Sequence, residues 1–305
     1  ADEEELAAAQ LLGDIEGTHG GDQHHGHPGE HTGEAQRPDD PPQGAEAVAA
    51  QVDGIVIVDN GGGPENADVQ KYKALVIREK GNTGIAKALN DGFREAMRNG
   101  AECVITFDQD SVPPSDMVEK YREFFISHPM AGEVGCRYSG SQNFDSYRET
   151  DHVITSGAAI PSKVFNAVGE FREDYFIDMV DVEYSWRIRK KGWEVWQLSD
   201  VILEHHLGDG LGGITLFGKK RLCYVRHNDS RWFHIVRNTM WLTNEYKDIY
   251  PENCRKYRCK LARSVFRSLL FDSGRRGILK AVRNAIKDSA EKNVKMQQSN
   301  NSGRI

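Results

Sequence analysis

The chain has 305 residues, 38% of them apolar, and a formal net charge of -7, which suffices for one large or two ordinary domains with a buried core. No run approaches the roughly 18 apolar residues that cross a bilayer, and the acidic N-terminus lacks the basic and apolar regions of a secretory signal. Five cysteines (Cys103, Cys136, Cys223, Cys254 and Cys259) with no C-x-x-C pair argue against a disulfide framework or zinc ribbon and for reduced thiols in a cytoplasm.

The charge is unevenly spread. Residues 1–50 hold twelve Asp/Glu and one Arg, whereas Cys254 to Met296 holds thirteen Lys/Arg and three Asp/Glu. After a short Ala/Leu run (Leu6 to Leu12), the head is a Gly/His/Pro/acidic stretch from Gly17 to Gly44 with five of the eleven histidines. Such composition buries too little surface to offset ordering entropy, so residues 1–50 are expected to be disordered or aberrant.

From Val52 the texture changes. Gly54 to Asp59 reads as a buried strand ended by a Gly61-Gly62-Gly63-Pro64 breaker, and Leu75-Val76-Ile77 as a second strand. Asn82-Thr83-Gly84 then opens a helical pattern with Ile85, Ala88, Leu89, Phe93 and Ala96 on one face; Thr83 is the expected N-cap and Gly100 the stop. The apolar run Cys103 to Phe107 leads into Asp108-Gln109-Asp110-Ser111, and Pro113-Pro114 into another amphipathic helix. This strand–helix alternation implies a mostly parallel sheet covered by helices. Beyond it, Asp181 to Lys191 reads as a helix, Glu194 to Leu203 as strand, and Arg231 onward as basic helix.

Asp108 and Asp110 carry the sharpest chemical signal. Two residues apart on extended backbone, their carboxylates share one face at the carboxyl end of a buried strand, where open α/β sheets bind ligands. Hard divalent cations want such oxygens and bring phosphates with them. Asp-x-Asp is also common in turns, so context decides. Asp59, at another strand end, is either a nucleotide contact or a turn former before Asn60-Gly61. Asp181 is either a helix cap or a general base, and spacing does not separate the two. His205, followed by His206, could complete a metal shell, although a strand-end histidine is more often a plain surface residue.

The order of these segments is more specific than any one of them. Asp59-Asn60-Gly61, Asn82-Thr83-Gly84-Ile85-Ala86-Lys87, Phe107-Asp108-Gln109-Asp110-Ser111, Thr155-Ser156-Gly157, Phe176-Ile177-Asp178-x-Val180-Asp181-x-Glu183, Leu203-x-His205-x-x-Gly208 and Arg237-Asn238 together resemble the inverting family-two glycosyltransferases of the GT-A fold, especially bacterial rhamnosyltransferases. The resemblance spans roughly Val52 to Asn238. It implies a GT-A catalytic domain over 51–245 and a basic helical region over 246–305. It implies that Asp108, Asp110 and His205 hold Mg²⁺ or Mn²⁺ against the donor diphosphate, with Asp59 reading the base. Asn82, Lys87, Ser156 and Gly157 would approach the donor, and Trp193 would line the acceptor side. Asp181, followed at family spacing by Glu183 and Arg187, matches the catalytic base, with Asp178 the second candidate.

The implied reaction is transfer of L-rhamnose from dTDP-L-rhamnose to a surface polysaccharide or lipid-linked glycan, in the cytoplasm, with no nucleic-acid partner. The apolar stripe Leu261, Val265, Phe266, Leu269 and Leu270 among basic residues suits either peripheral contact with the anionic inner face of the plasma membrane or packing on the protein itself. Two other readings stand beside this one. An apolar strand before Asp-x-Asp-x-Val also resembles haloacid-dehalogenase phosphatases, with Ser156 and Lys163 in later roles. A catalytically impaired nucleotide-sugar-binding relic is the other, because the family's first strand, ending near Thr-Tyr-Asn, is not legible in residues 1–50. Its replacement, through a shifted frame or wrong start, would leave an exposed sheet edge and cripple donor binding.

Overall fold

The computed structural model describes residues 6–12, 45–61, 72–109, 111–205, 211–216, 219–225, 227–272 and 274–302. Contacts divide these into two units, one of residues up to Phe176 with Val180–His206, the other of Ile177–Met179 with the residues from Leu211 onward.

The first unit is built on a mixed sheet. Its parallel half comprises β1 (Leu6–Leu12), β2 (Gly54–Asp59), β3 (Leu75–Arg78) and β4 (Cys103–Asp108), ordered β3-β2-β1-β4. Next to β4 lie β8 (Ala158–Pro161), antiparallel to it, then β6 (Ala131–Tyr138) and β9 (Glu194–His205), which are parallel to each other. The short strands β5 (Ser111–Val112) and β7 (Tyr147–Glu149) pair antiparallel with β9. Val, Ile and Phe fill β2 and β4, which are buried along nearly their whole length, as strands covered on both faces require.

Helices α1 (Ala45–Ala49), α2 (Ile85–Arg98), α3 (Met117–Ser127), α4 (Ser162–Val168) and α5 (Val180–Lys190) accompany this sheet. In α2, Ala88, Leu89, Phe93 and Ala96 are buried at the three- and four-residue spacing read from the sequence. Phe93 stacks on Phe165 of α4 with ring centroids 4.4 Å apart. The α2 N-cap is Gly84 rather than Thr83, whose hydroxyl instead donates to Asn60 Oδ1 at 2.8 Å.

The missing first strand is corrected by the structure. Leu6–Leu12 runs parallel between β2 and β4, Leu12 opposite Asp59 and Leu11 opposite Asp108. Neither β2 nor β4 is therefore left as an open edge on that side. The expected disorder of the head bears on residues 13–44, which lie outside the described residues together with the five N-terminal histidines. The sheet unit also starts before residue 51, since α1 buries Val48 in the same apolar cluster as Ile105, Phe107 and Tyr121.

The second unit contains the antiparallel pair β10 (Leu211–Leu216) and β11 (Lys219–Val225) and three helices, α6 (Asp229–Glu245), α7 (Pro251–Phe271) and α8 (Arg275–Ser302). Trp232 and Val236 of α6 pack with Leu261, Val265 and Leu269 of α7 and Ile278, Ala281 and Ala285 of α8. Helix α6 thus groups with α7 and α8 in the second unit.

Candidate active site

Because β2, β4, β6 and β9 run the same way, Asp59, Asp108, Tyr138 and His205 all end strands at one margin of the sheet. This is the margin at which such sheets take ligands.

The tip of β4 is held by a buried bracket. The Ser156 hydroxyl accepts from Asp108 N at 3.1 Å and shares a hydrogen bond with the Ser111 hydroxyl at 2.7 Å. It therefore ties both ends of the Asp108–Ser111 turn. Gly157 N donates to Thr106 O at 2.6 Å, and the Thr106 hydroxyl donates to Thr155 O. From β6, Tyr138 donates to Ser156 O at 2.5 Å; from α3, Tyr121 donates to Gly157 O at 2.6 Å. Gly157 is required twice over. Its φ is 78°, and a Cβ there would lie 2.5 Å from Cys136 Sγ.

Ser156 and Gly157 were expected to touch the donor. At 1% exposure, and with its hydroxyl bonded to Asp108 and Ser111, Ser156 positions the acidic segment from within, and Gly157 permits close packing against Cys136.

The metal ligands are reached only in part. Asp108 is half-buried at the tip of β4. Pairing of β5 with β9 sets Ser111 directly opposite His205, so the backbone brings the histidine position beside the residue that follows Asp110. Asp110 and the side chain of His205 lie outside the described residues, and among those described no cluster of three metal-ligating side chains occurs. By residue type alone, two carboxylates and an imidazole are a donor set that fits Mg²⁺ or Mn²⁺.

Asp181 lies in the first turn of α5, its Oδ1 accepting from Val182 N at 2.8 Å. Burial above all, then Cys136, then the charges of Asp108 and Asp181, push the Tyr138 hydroxyl well above its ordinary range. The same helix carries Glu183, buried and paired with Arg187 at 2.9 Å, which accounts for the Glu183/Arg187 spacing as a structural ion pair.

Asp178, the second candidate base, has another task. In the second unit its Oδ1 lies 3.4 Å from Arg231 Nη2, and Asn238 Nδ2 donates to the carbonyls of Ile177 at 2.6 Å and Asp178 at 2.9 Å. Asp178 and Met179 have φ of 62° and 65°, a conformation rare for such residues. The Asn238 clamp holds this turn, which gives Asn238 a structural task in the sequence constellation.

The remaining expected site residues take the following positions. Asp59 is 7% exposed and its Oδ1 accepts from Gly61 N at 3.1 Å, a turn-forming contact. Asn82 serves the adjoining loop: its Oδ1 accepts from Gly84 N at 3.0 Å and from Asn60 Nδ2 at 3.4 Å. Lys87 is ion-paired on both sides. Its ammonium is 2.5 Å from Asp91 and 3.1 Å from Glu79, and the hydrogen bond to Asp91 leads the effects that raise its pKa. Trp193 precedes the N-terminal end of β9, a twelve-residue strand whose other end is His205. Measured along the paired β6 at about 3.3 Å per residue, the two ends are roughly 30 Å apart, so Trp193 stands at the margin opposite Asp108 and His205.

Sequence reasoning missed Glu133 of β6. It is buried, accepts from the Ser185 hydroxyl at 2.5 Å, and is pushed up to about 8 by burial, the neighbouring charge of Asp181 adding to the rise and the Ser185 bond opposing it. The folded state holds this proton above the ordinary 4.5, whereas the unfolded chain releases it. Stability is therefore expected to fall as pH rises from about 4.5 to about 8 and to level off beyond. Thermal melting of Glu133→Gln across that range should show a flatter profile, with the variant gaining on the parent by a few kcal/mol at the alkaline end. Parallel profiles would contradict this.

Residues 43–196, just over half of the chain, match the family model for glycosyl transferase family 2, and the chain belongs to that family. Its fold is GT-A, an α/β sheet domain with C-terminal helices, and it is a glycosyltransferase. Among curated proteins it is similar to the dTDP-rhamnosyl transferase RfbF of Shigella flexneri, 29% identical over 216 residues that cover 62% of this chain and 70% of that one. Among solved structures it resembles S. aureus TarS 1–349 in complex with UDP-GlcNAc (TM-score 0.55, 12% identity, 93% of this chain and 80% of that one). It also resembles GalNAc-T7 with UDP, GalNAc and Mn²⁺ (TM-score 0.56, 11% identity, 82% and 49%). These two show the fold. The phosphatase reading does not survive, since the family match runs through both the strand–helix units before residue 100 and the Asp108–Ser111 turn.

Proposed function

We infer that this glycosyltransferase transfers L-rhamnose from dTDP-L-rhamnose, with inversion, to a surface polysaccharide or lipid-linked glycan on the cytoplasmic side of a membrane. The donor rests on the similarity to a dTDP-rhamnosyl transferase. The observation that supports the chemistry is the buried bracket in which the Ser156 hydroxyl ties Asp108 to Ser111, opposite His205, at the carboxyl margin of the sheet.

In this reading Asp181 accepts the acceptor's hydroxyl proton while that oxygen attacks the anomeric carbon. The new C–O bond forms on the face opposite the diphosphate, the bond from carbon to diphosphate oxygen breaks, and dTDP departs. The Asp181 carboxylate accepts from Val182 N, which restrains its rotation. The Ser156 bracket fixes the acidic turn, so that Asp108, Asp110 and His205 would hold Mg²⁺ or Mn²⁺. When bound, the cation neutralises charge growing on the diphosphate.

A panel of nucleotide sugars with Mn²⁺ or Mg²⁺, scored by release of nucleoside diphosphate with and without glycan acceptor, tests the assignment. Release from dTDP-L-rhamnose should exceed that from UDP- and GDP-sugars. Preference for a UDP-sugar would overturn the donor, and binding without release from any donor would favour the relic.

A further inference from the structure

The basic stripe of α7 splits in the folded chain. Leu261, Val265 and Leu269 turn inward against Trp232, Val236 and Ile278, so packing on the protein accounts for that half. The other half is left outside. Phe266 and Leu270 are 65% and 47% exposed, and on the following helix Leu279 is 54% exposed. Arg263 is exposed one turn before Phe266, and Arg276 and Arg283 flank Leu279 at three- and four-residue spacing. The helices meet at a short corner where Arg275 Nη2 donates to Leu270 O at 3.0 Å. The outer faces thus alternate large apolar side chains with guanidinium groups.

We propose that this corner of α7 and α8 is a docking surface for an anionic lipid bilayer, entered by Phe266, Leu270 and Leu279 while the arginines stay among the headgroup phosphates. Charge complementarity selects the occupant. Thirteen Lys/Arg against three Asp/Glu from Cys254 to Met296 suit a negative surface, and arginine stems can lie along the acyl boundary with their heads in water. A second copy of the same face would set arginine against arginine. No helix among the described residues is long and apolar enough to span a membrane, so the contact is peripheral. The proposal does not depend on the donor or reaction assigned above, and it is read without turnover.

The test is co-sedimentation of the full chain with phosphatidylcholine vesicles, with and without phosphatidylglycerol, alongside Phe266→Ser/Leu270→Ser and Arg263→Glu/Arg276→Glu. All four positions are exposed, and unchanged melting confirms that the variants fold. The parent should bind only the anionic vesicles, less so at high salt, and each double variant should lose about tenfold or more in partitioning. No binding to anionic vesicles, equal binding to neutral ones, or undiminished binding by Phe266→Ser/Leu270→Ser would overturn it. So would a parent dimer in solution that the same variant dissociates.

Discussion

Asp181→Asn should lower sugar transfer by roughly 10²- to 10⁴-fold while leaving donor binding nearly intact. The carboxamide can still accept from Val182 N, so the start of α5 keeps its hydrogen bond, now from a neutral acceptor. What disappears is the capacity to take a proton. The expected split is therefore in kcat, with the donor KM and melting temperature little moved. Asp178→Asn is the informative contrast. It weakens an ion pair to Arg231 inside the second unit and is expected to act on stability more than on the chemical step. If Asp178→Asn abolished turnover while Asp181→Asn retained it, the assignment of the base would be reversed.

Much of the fold was legible because its strongest elements are strongly periodic. Strands β2 and β4 are short apolar runs with sharp ends, and α2 shows its buried face at helical spacing. Other parts were hidden for identifiable reasons. Leu6–Leu12 is rich in alanine, a poor strand former, and is separated from the rest of the sheet by a polar segment, so only its neighbours β2 and β4 make it a strand. Strand β6 carries Glu133 and two glycines, which break the apolar pattern although the backbone is buried.

At the site, residue types were legible and their tasks were not. A buried serine hydroxyl and a ligand-facing one look alike in sequence, so Ser156 was read as a donor contact when it braces Asp108 and Ser111. Lys87 carried a clue in Asp91 four residues on, the spacing of a helical ion pair. Trp193 required strand direction: a residue before β9 and one at its end lie at opposite margins. Tyr138, whose hydroxyl donates to Ser156 O, reaches that bracket only through the ordering of β6 within the sheet.

A second large loss is expected at the acidic turn, since the proposed reaction rests on a cation-bridged diphosphate at that strand tip. Asp108→Ala or Asp110→Ala removes an anionic oxygen ligand, whereas the Ser156 bracket to Asp108 N engages backbone and can survive. The direct measurement is nucleoside diphosphate release from dTDP-L-rhamnose with acceptor, titrated with Mn²⁺ after chelation, for the parent and Asp110→Ala. The parent should be inactive when stripped and recover as the cation is restored. Asp110→Ala should stay roughly 10²- to 10³-fold slower at every Mn²⁺ concentration. A stripped parent that turns over at full rate, or an Asp110→Ala variant indistinguishable from it, would contradict the account.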